Sequence, residues 1–182
     1  MRPQNLFAAL AASVLVASCC GDLPKSPQPT AAPAEAARLG KFALKASDGS
    51  YVSCSMTPDT AGHIGLFADR TAIDSSAVFT AQYKEDGHFG IVAANGKVIT
   101  ADRNMGSVLL ADRDYVGDWE TFELVDGGNG LFSLNNSNGK FVGAHLEAPG
   151  SEGRRGSQLI ADRLDANDWE RFTVVRDPAI GQ

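Results

Sequence analysis

The sequence lacks the motifs and the compositional extremes that define several large classes of protein. It has 16 basic and 22 acidic residues and a formal net charge of −6, whereas a nucleic-acid binder needs a basic face to neutralise phosphates. It contains no Gly-x-Ser-x-Gly elbow, no His-Glu-x-x-His sequence and no Gly-Lys-Ser/Thr phosphate loop, which mark several enzyme classes. The sequence therefore predicts no catalytic activity, no cofactor, no metal site and no nucleic-acid partner.

Histidine and cysteine are scarce, with three residues of each. The three histidines, His63, His88 and His145, are far apart and do not show the spacing of metal ligands. Cys54 falls in a predicted strand, where a buried thiol behaves as a small hydrophobic side chain. A disulfide between Cys54 and Cys20 is a less favoured alternative, because the cysteines do not form a framework of pairs.

Long apolar runs are also lacking, except at the N-terminus. The run over residues 6–16 is too short for a membrane-spanning helix, which needs about 20 residues. A short apolar run behind the single charge of Arg2 is typical of a secretory signal peptide. We therefore expect a signal peptide over residues 1–18.

The end of this segment resembles the lipobox of bacterial lipoproteins. The motif is Val16-Ala17-Ser18-Cys19, an apolar residue and two small residues before a cysteine. The resemblance implies cleavage before Cys19 and lipidation of its thiol, so that the partner of this end of the chain is a membrane. Because no Asp follows the cysteine, it also implies an outer-membrane location. Lipidation of Cys20 and an ordinary signal peptide with incidental cysteines are the alternatives.

The next segment, residues 19–40, is rich in proline and alanine. Half of the eight prolines of the chain lie between positions 24 and 33. Such a composition favours extended, polyproline-like conformations and does not build a core. We expect a tether between the lipidated cysteine and a folded domain.

From residue 41 onward the sequence repeats itself three times, which has to be considered before any other pattern. An apolar pair followed by Ala-Asp-Arg recurs, a phenylalanine follows nine residues after each arginine, and an Asp-Gly or Asn-Gly turn precedes each triplet. Those dipeptides predict hairpins with type I′ turns. The repeated residues are Gly49, Gly96 and Gly139 in the turns, Asp69-Arg70, Asp112-Arg113 and Asp162-Arg163 in the triplets, and then Phe79, Phe122 and Phe172.

Each repeat contains four short segments with the period-two alternation of strands. Twelve strands with threefold symmetry in one domain predict an all-β fold, a β-trefoil over residues 41–176, with a tail over 177–182. The first and last strands of each repeat should form a barrel, and the middle hairpins should cap one end. A propeller is disfavoured because three blades are too few. The predicted strands are 42–46, 51–55, 65–69, 78–83, 88–94, 97–103, 108–113, 120–125, 131–135, 140–145, 158–163 and 171–175.

The second and third repeats resemble those of fascin-like β-trefoils. The resemblance rests on their Asn-Gly-Lys turns, on the Ala-Asp-Arg triplets, and on Asp-Trp-Glu-x-Phe at 118–122 and 168–172. The first repeat has Ser75-Ser76-Ala77 in place of Asp-Trp-Glu, so a function with three equal tryptophan sites is not expected. The Gln-x-Trp repeats of ricin-like trefoils do not occur.

The recurring residues are interpreted as scaffold, because one residue type at all three symmetry positions solves one packing problem three times. The Asp and Arg of a triplet should pair with each other or with the later glutamate, Glu120 or Glu170. Trp119 and Trp169 are expected to cover the barrel or to pack beside arginine side chains. Ligand contact by the tryptophans is the alternative.

Functional residues are expected where the repeats differ, in loops on the rigid frame. From the turn glycine to the alanine of the triplet there are 19, 15 and 22 positions in the three repeats. The extra residues of the first and third repeats lie around 56–63 and 146–156, in the cap. Arg154 and Arg155 suit an acidic glycan or the carboxylates of a protein. A solvated loop neutralised by its own glutamates is the favoured interpretation of the same residues.

The expected function is a non-catalytic binding module for a polysaccharide or a cell-envelope glycan, since fascin-like trefoils accompany bacterial carbohydrate enzymes. Fascins cross-link actin, but a bacterial envelope holds none, so actin is not an expected partner. The alternatives are a protein-binding inhibitor or immunity-type lipoprotein that uses the hairpin loops, and a structural envelope protein. The candidate ligand-binding residues are Tyr115, Trp119, Trp169, Arg154 and Arg155.

Overall fold

The computed structural model describes residues 39–144 and 157–180, which include twelve strands and three short 3₁₀ turns. The predicted signal peptide, Cys19, Cys20, Arg154 and Arg155 lie outside these residues. The strands are β1 (Lys41–Lys45), β2 (Tyr51–Cys54), β3 (Leu66–Arg70), β4 (Phe79–Tyr83), β5 (Phe89–Val92), β6 (Val98–Asp102), β7 (Val108–Arg113), β8 (Phe122–Gly128), β9 (Leu131–Asn136), β10 (Lys140–Ala144), β11 (Ser157–Arg163) and β12 (Phe172–Arg176).

Six of these strands close into an antiparallel barrel. Within each repeat the first strand pairs with the last, as β1–β4, β5–β8 and β9–β12. Successive repeats are joined by the pairs β4–β5, β8–β9 and β12–β1. Each barrel strand is therefore paired on both sides, which removes the exposed sheet edges on which chains aggregate.

The other six strands form three hairpins, β2–β3, β6–β7 and β10–β11. These hairpins meet one another, because β11 pairs with both β3 and β7. A six-stranded barrel capped by three hairpins is the β-trefoil that the repeats predict. The prediction of an all-β fold with twelve strands is confirmed.

A phenylalanine from each barrel strand fills the centre of the molecule. The two phenylalanines of each repeat stand directly opposite each other on paired strands. Five of the six are at most 1% exposed, and the sixth, Phe132, packs against the same core. Burying each of the five contributes roughly 1.5–3 kcal/mol. The pairs are Phe42 with Phe79, Phe89 with Phe122, and Phe132 with Phe172.

The hairpin turns that begin each cap hairpin differ in type from the prediction. Gly49, Gly96 and Gly139 do have positive φ values, of 88°, 78° and 74°. In these described turns, however, no second residue has positive φ, whereas a type I′ turn needs two. The glycine N–H donates to the carbonyl three residues earlier, at 2.8–3.0 Å, so each turn is of type I followed by a left-handed glycine.

The side chain before each glycine explains this choice. The side-chain oxygen of this Asp or Asn accepts the N–H two residues later, at 2.8–3.0 Å. This hydrogen bond holds the Asp or Asn itself in a right-handed turn conformation. A pair of positive φ values occurs instead at Asn129 (56°) and Gly130 (76°), in the two-residue connection from β8 to β9.

Candidate ligand-binding site

Three equivalent segments connect the cap hairpins to the barrel, and we call them corners. The first corner spans residues 70–79, the second 113–122 and the third 163–172. Each runs from the arginine of a triplet to the phenylalanine nine residues later. The first and third contain the 3₁₀ turns Ser75–Ala77 and Asp168–Glu170, and the second contains a turn at 118–120.

A β-bulge precedes each corner and accounts for the triplet. In the first repeat Tyr51 pairs with Arg70 and Val52 with Ala68, so Asp69 is left without a partner in the ladder. The register shifts at the same place in the other repeats, at Asp112 and Asp162. The small alanine is buried, the aspartate is the extra residue, and the bulge turns the chain toward the barrel. The sequence pattern does not predict this bulge.

The aspartate and arginine of each triplet form an ion pair in all three repeats, as predicted. The arginine Nε lies 3.4–3.5 Å from an oxygen of the preceding aspartate. In the second corner Arg113 also contacts Glu120, at 3.7 Å, and Asp102, at 2.9 Å. The first corner has no such glutamate, and Arg70 lies 3.5 Å from Asp74 instead.

The glutamates of the second and third corners are buried scaffold residues. Glu120 is 6% exposed and Glu170 2%. Each carboxylate accepts the backbone N–H three residues earlier, from Gly117 at 3.0 Å and from Asn167 at 2.9 Å. Because Glu120 folds back in this way, the strand predicted from residue 120 begins only at Phe122.

The second corner is closed around Trp119, which is partly buried. The guanidinium of Arg103 lies 5.6 Å from the centre of its ring. The Trp119 carbonyl accepts hydrogen bonds from the Ala101 N–H, at 3.0 Å, and from the Asn136 side-chain amide, at 2.9 Å. Trp119 thus packs beside an arginine, as the sequence favoured, although this arginine lies outside the triplets.

The third corner is open around Trp169, which is 42% exposed. Trp169 lines a surface depression of about 340 Å³ together with Arg163, Asn167, Asp168 and Glu170. We call this depression the tryptophan groove. An aromatic ring there lies beside an amide, a carboxylate and a guanidinium, so the groove offers both an apolar face and hydrogen-bonding groups.

A second depression, of about 380 Å³, shares Asp168 with the tryptophan groove. We call it the basic depression, because Lys45 and Arg171 line it. It lies between the third corner and the first hairpin turn. Its other lining residues are Ala46, Ser47, Gly49, Leu131 and Thr173.

The three predicted ligand-binding residues that the structure describes, Tyr115, Trp119 and Trp169, do not line one depression. Tyr115 is 76% exposed in the second corner, and among the described residues neither Tyr115 nor Trp119 lines the tryptophan groove. Lys45, Ala46 and Arg171, which line the basic depression, are not among the predicted residues. The sequence signal for the different surroundings of the two corners is the residue three positions before each turn glycine. These residues are Ala46, Ala93 and Asn136.

The remaining chemistry-bearing residues that the structure describes are not arranged as a site. Cys54 is fully buried and has no disulfide, and burial raises the pKa of its thiol to about 11. Within residues 39–144 and 157–180 no three His, Cys, Asp or Glu side chains cluster as metal ligands. The same residues contain no helix with the length and apolarity needed to cross a membrane.

No protein-family model and no curated protein sequence matches the chain, but solved structures do. A designed 3-fold symmetric protein, ThreeFoil, is 18% identical with a TM-score of 0.58, over 75% of this chain and 98% of that one. SeviL bound to asialo-GM1 saccharide is 14% identical with a TM-score of 0.55, over 77% and 99%. The exo-β-1,3-galactanase 1,3Gal43A from Clostridium thermocellum is 17% identical with a TM-score of 0.57, over 75% of this chain and 30% of the enzyme.

The particular resemblance to fascins stays a prediction. At these identities the likeness concerns the fold alone, and it agrees with the strand pairing described above. The folded domain of this chain is a β-trefoil.

Proposed function

We propose that this protein is a non-catalytic binding module for a polysaccharide or cell-envelope glycan, which it holds in the tryptophan groove. The observation that carries the proposal is the exposed ring of Trp169 beside Asn167 and Asp168. The C–H face of a sugar ring stacks on an aromatic face, and its hydroxyls both donate and accept hydrogen bonds. An amide and a carboxylate next to the ring match those requirements.

The fold neighbours support this class of ligand. SeviL was solved with a saccharide bound, and 1,3Gal43A is a galactanase. The scaffold also suits a binding role, because the corner is fixed at both ends. Arg163 is paired with Asp162 at 3.4 Å, and the buried Glu170 holds the Asn167 N–H. A rigid site loses little conformational entropy when a ligand binds.

We also propose that the mature protein is anchored in the bacterial outer membrane through a lipid on Cys19. The lipobox-like motif and the proline-rich tether over residues 19–40 support this location. Labelling of cells with a fatty-acid probe tests it, with Cys19→Ala as the matched variant. Equal label in the wild type and in Cys19→Ala would contradict the anchor without affecting the binding proposal.

Glycan binding is tested with the full-length, detergent-solubilised protein on a glycan array and in pull-downs with peptidoglycan and lipopolysaccharide. Trp169→Ala should lower retention at least about tenfold, because a central tryptophan typically contributes 2 kcal/mol or more to binding. Trp169→Phe should keep part of the affinity, because it keeps an aromatic face. Tyr115→Ala, which removes an exposed ring outside the groove, is the matched control.

Two results would contradict the proposal. One is that the folded wild-type protein is retained on none of these glycans. The other is that Trp169→Ala and Tyr115→Ala bind glycan as well as the wild type. Capture of one protein, lost on changing residues 147–155 but kept in Trp169→Ala, would favour the inhibitor interpretation instead.

A further inference from the structure

The basic depression adjoins the tryptophan groove and lies on the outer face of the barrel. Lys45 on β1 pairs with Thr173 on β12, and Thr173 pairs with Leu131 on β9. These three side chains therefore stand in one row across neighbouring strands. Arg171 and Asp168, from the third corner, complete the wall on the side of the groove. A ligand that fills the groove and extends past Asp168 reaches this row.

The charges in the depression are unequal. Among the described residues that line it, Lys45 and Arg171 are cationic and only Asp168 is anionic. The Lys45 ammonium lies 5.4 Å from the centre of the Tyr51 ring. The Arg171 Nε is buried and has no hydrogen-bond acceptor among the described residues. The Nε of Arg70 also has no hydrogen-bond acceptor there, but each triplet arginine lies 3.4–3.5 Å from a carboxylate oxygen.

One of the differences between repeats lies at the edge of the depression, at Ala46. At the equivalent place beside the second corner, the Asn136 amide donates to the carbonyls of Trp119 and Thr121, at 2.9 and 3.1 Å. Ala46 holds the corresponding position before the first hairpin turn, and its methyl group cannot reach across. The space that Asn136 fills in the second corner therefore remains open beside Arg171.

We propose that the ligand is an acidic saccharide, whose carboxylate or sulfate group lies between Lys45 and Arg171 while a sugar ring stacks on Trp169. This inference rests on the proposed glycan-binding function and narrows its ligand class. Arginine matches the planar fork of a carboxylate and the oxygens of a sulfate, and lysine supplies a second, adaptable charge. With a neutral sugar, Asp168 would be the one carboxylate facing the two cations among the described lining residues.

The test measures binding at the arginine itself. Full-length ¹⁵N-labelled protein in detergent is titrated with D-glucuronate, glucose 6-sulfate and D-glucose, and the Arg171 Nε–Hε resonance, assigned through Arg171→Gln, is followed by NMR. Glucuronate or glucose 6-sulfate should shift this resonance, and glucose should not. The two anions distinguish a carboxylate from a sulfate ligand. A resonance that neither anion moves, or that glucose moves equally, would overturn the inference.

Variants connect this site to polysaccharide binding. Lys45→Gln and Arg171→Gln should each weaken retention on uronic-acid or sulfated polysaccharides about 3- to 10-fold, as expected for the loss of one charge-assisted contact. Lys41→Gln, at the other end of β1, is the control, because Lys41 is exposed and lies outside the depression. If Lys45→Gln and Lys41→Gln behave alike while Trp169→Ala loses binding, the proposed function stands and the acidic ligand does not. If the wild type binds no glycan, both fail.

Discussion

The second and third corners carry the same Asp-Trp-Glu motif but present it differently. In both, the glutamate is buried and holds a backbone N–H three residues earlier. The tryptophans differ, since Trp119 lies under Arg103 while Trp169 is 42% exposed and lines a groove. Within one repeated motif, one residue can thus have the same structural role in every copy while another differs in its exposure to solvent. The glutamate is scaffold in both corners, and the third tryptophan is the more exposed of the two.

Besides Arg103, which belongs to the same repeat as Trp119, the neighbouring repeat contributes to the difference. The second corner is closed by the turn at the start of the third repeat, where Asn136 and Ser137 both donate hydrogen bonds to it. The third corner faces the turn at the start of the first repeat, where Ala46 and Ser47 line the basic depression. Whether a corner is open therefore depends on the residues of the next turn in the pseudo-threefold order.

The largest expected effect tests what the two corners share. Phe122→Ala and Phe172→Ala each remove a fully buried ring two residues after the glutamate, and each should lower the free energy of unfolding by about 3–5 kcal/mol. Denaturant titration monitored by circular dichroism gives this quantity. The partly buried Phe67 provides a control, Phe67→Ala, with a smaller loss. If the loss of unfolding free energy in one of these two variants is more than twice the loss in the other, the two corners do not share a common frame.

The next effect separates the two tryptophans. Trp119→Ala should destabilise the protein by about 1–3 kcal/mol, because it removes a partly buried ring and its contact with Arg103. Trp169→Ala should cost at least about 1 kcal/mol less, because exposed side chains contribute less to folding. Thermal unfolding of the two variants, measured beside glycan retention, checks both. Equal destabilisation would show that the third corner depends on its tryptophan as much as the second.

The first corner extends the comparison to a repeat without Trp or Glu. Its cap is Asp74, whose carboxylate accepts the N–H of Ser76 at 2.8 Å and also the Ser76 hydroxyl. The hydrogen bonds from Ser76 hold the pKa of Asp74 below its usual value. The carboxylate is 51% exposed, so Asp74→Ala should cost only about 0.5–1 kcal/mol, at the low end for a lost cap.

The same carboxylate gives this corner a pH dependence. Because its folded-state pKa is lowered, its contribution to stability is complete above the unfolded-state pKa of about 3.9 and is lost as pH falls through the folded-state pKa. Urea titrations at neutral and acidic pH should therefore show wild type and Asp74→Ala converging in acid. A difference that stays constant over that range would contradict the role of the charged form.

Much of the fold could be predicted because the same sequence pattern occurs in all three repeats. Strand alternation, turn glycines and the phenylalanine spacing all recur, so a local error in one copy is corrected by the others. The turn type was missed because an Asn or Asp side chain can stabilise two different turns before glycine. The bulge at Asp69 was missed because it changes the register without changing the apolar pattern.

Less of the site could be predicted, because it depends on contacts between distant segments. Trp169 was named among the candidates, but its Asp-Trp-Glu motif does not distinguish it from Trp119. Ala46, which lines the depression beside the third corner, is more than 100 positions away in the sequence. Lys45 and Arg171 are ordinary strand-end residues until the barrel closes and brings β1 beside β12. Arg154 and Arg155 lie outside the described residues and stay predictions.

The smallest expected change in stability is also the sharpest test of why one corner is open. Ala46→Asn places in the first hairpin turn the residue that closes the second corner. Its amide should reach the carbonyls of Trp169 and Arg171, as Asn136 reaches those of Trp119 and Thr121. The new hydrogen bonds should offset the entropy cost of ordering the side chain. The free energy of unfolding should therefore change by no more than about 0.5 kcal/mol.

Binding should respond to the same substitution far more than stability does. With the space beside Arg171 filled, retention on acidic polysaccharides should fall at least as far as it does in Arg171→Gln. Ala93→Asn, at the corresponding position before the second turn, is the matched control, because it changes the same residue type beside the first corner. If Ala46→Asn binds as the wild type does, the openness of the third corner has another cause, and the comparison between the two tryptophans has to rest on Arg103 alone.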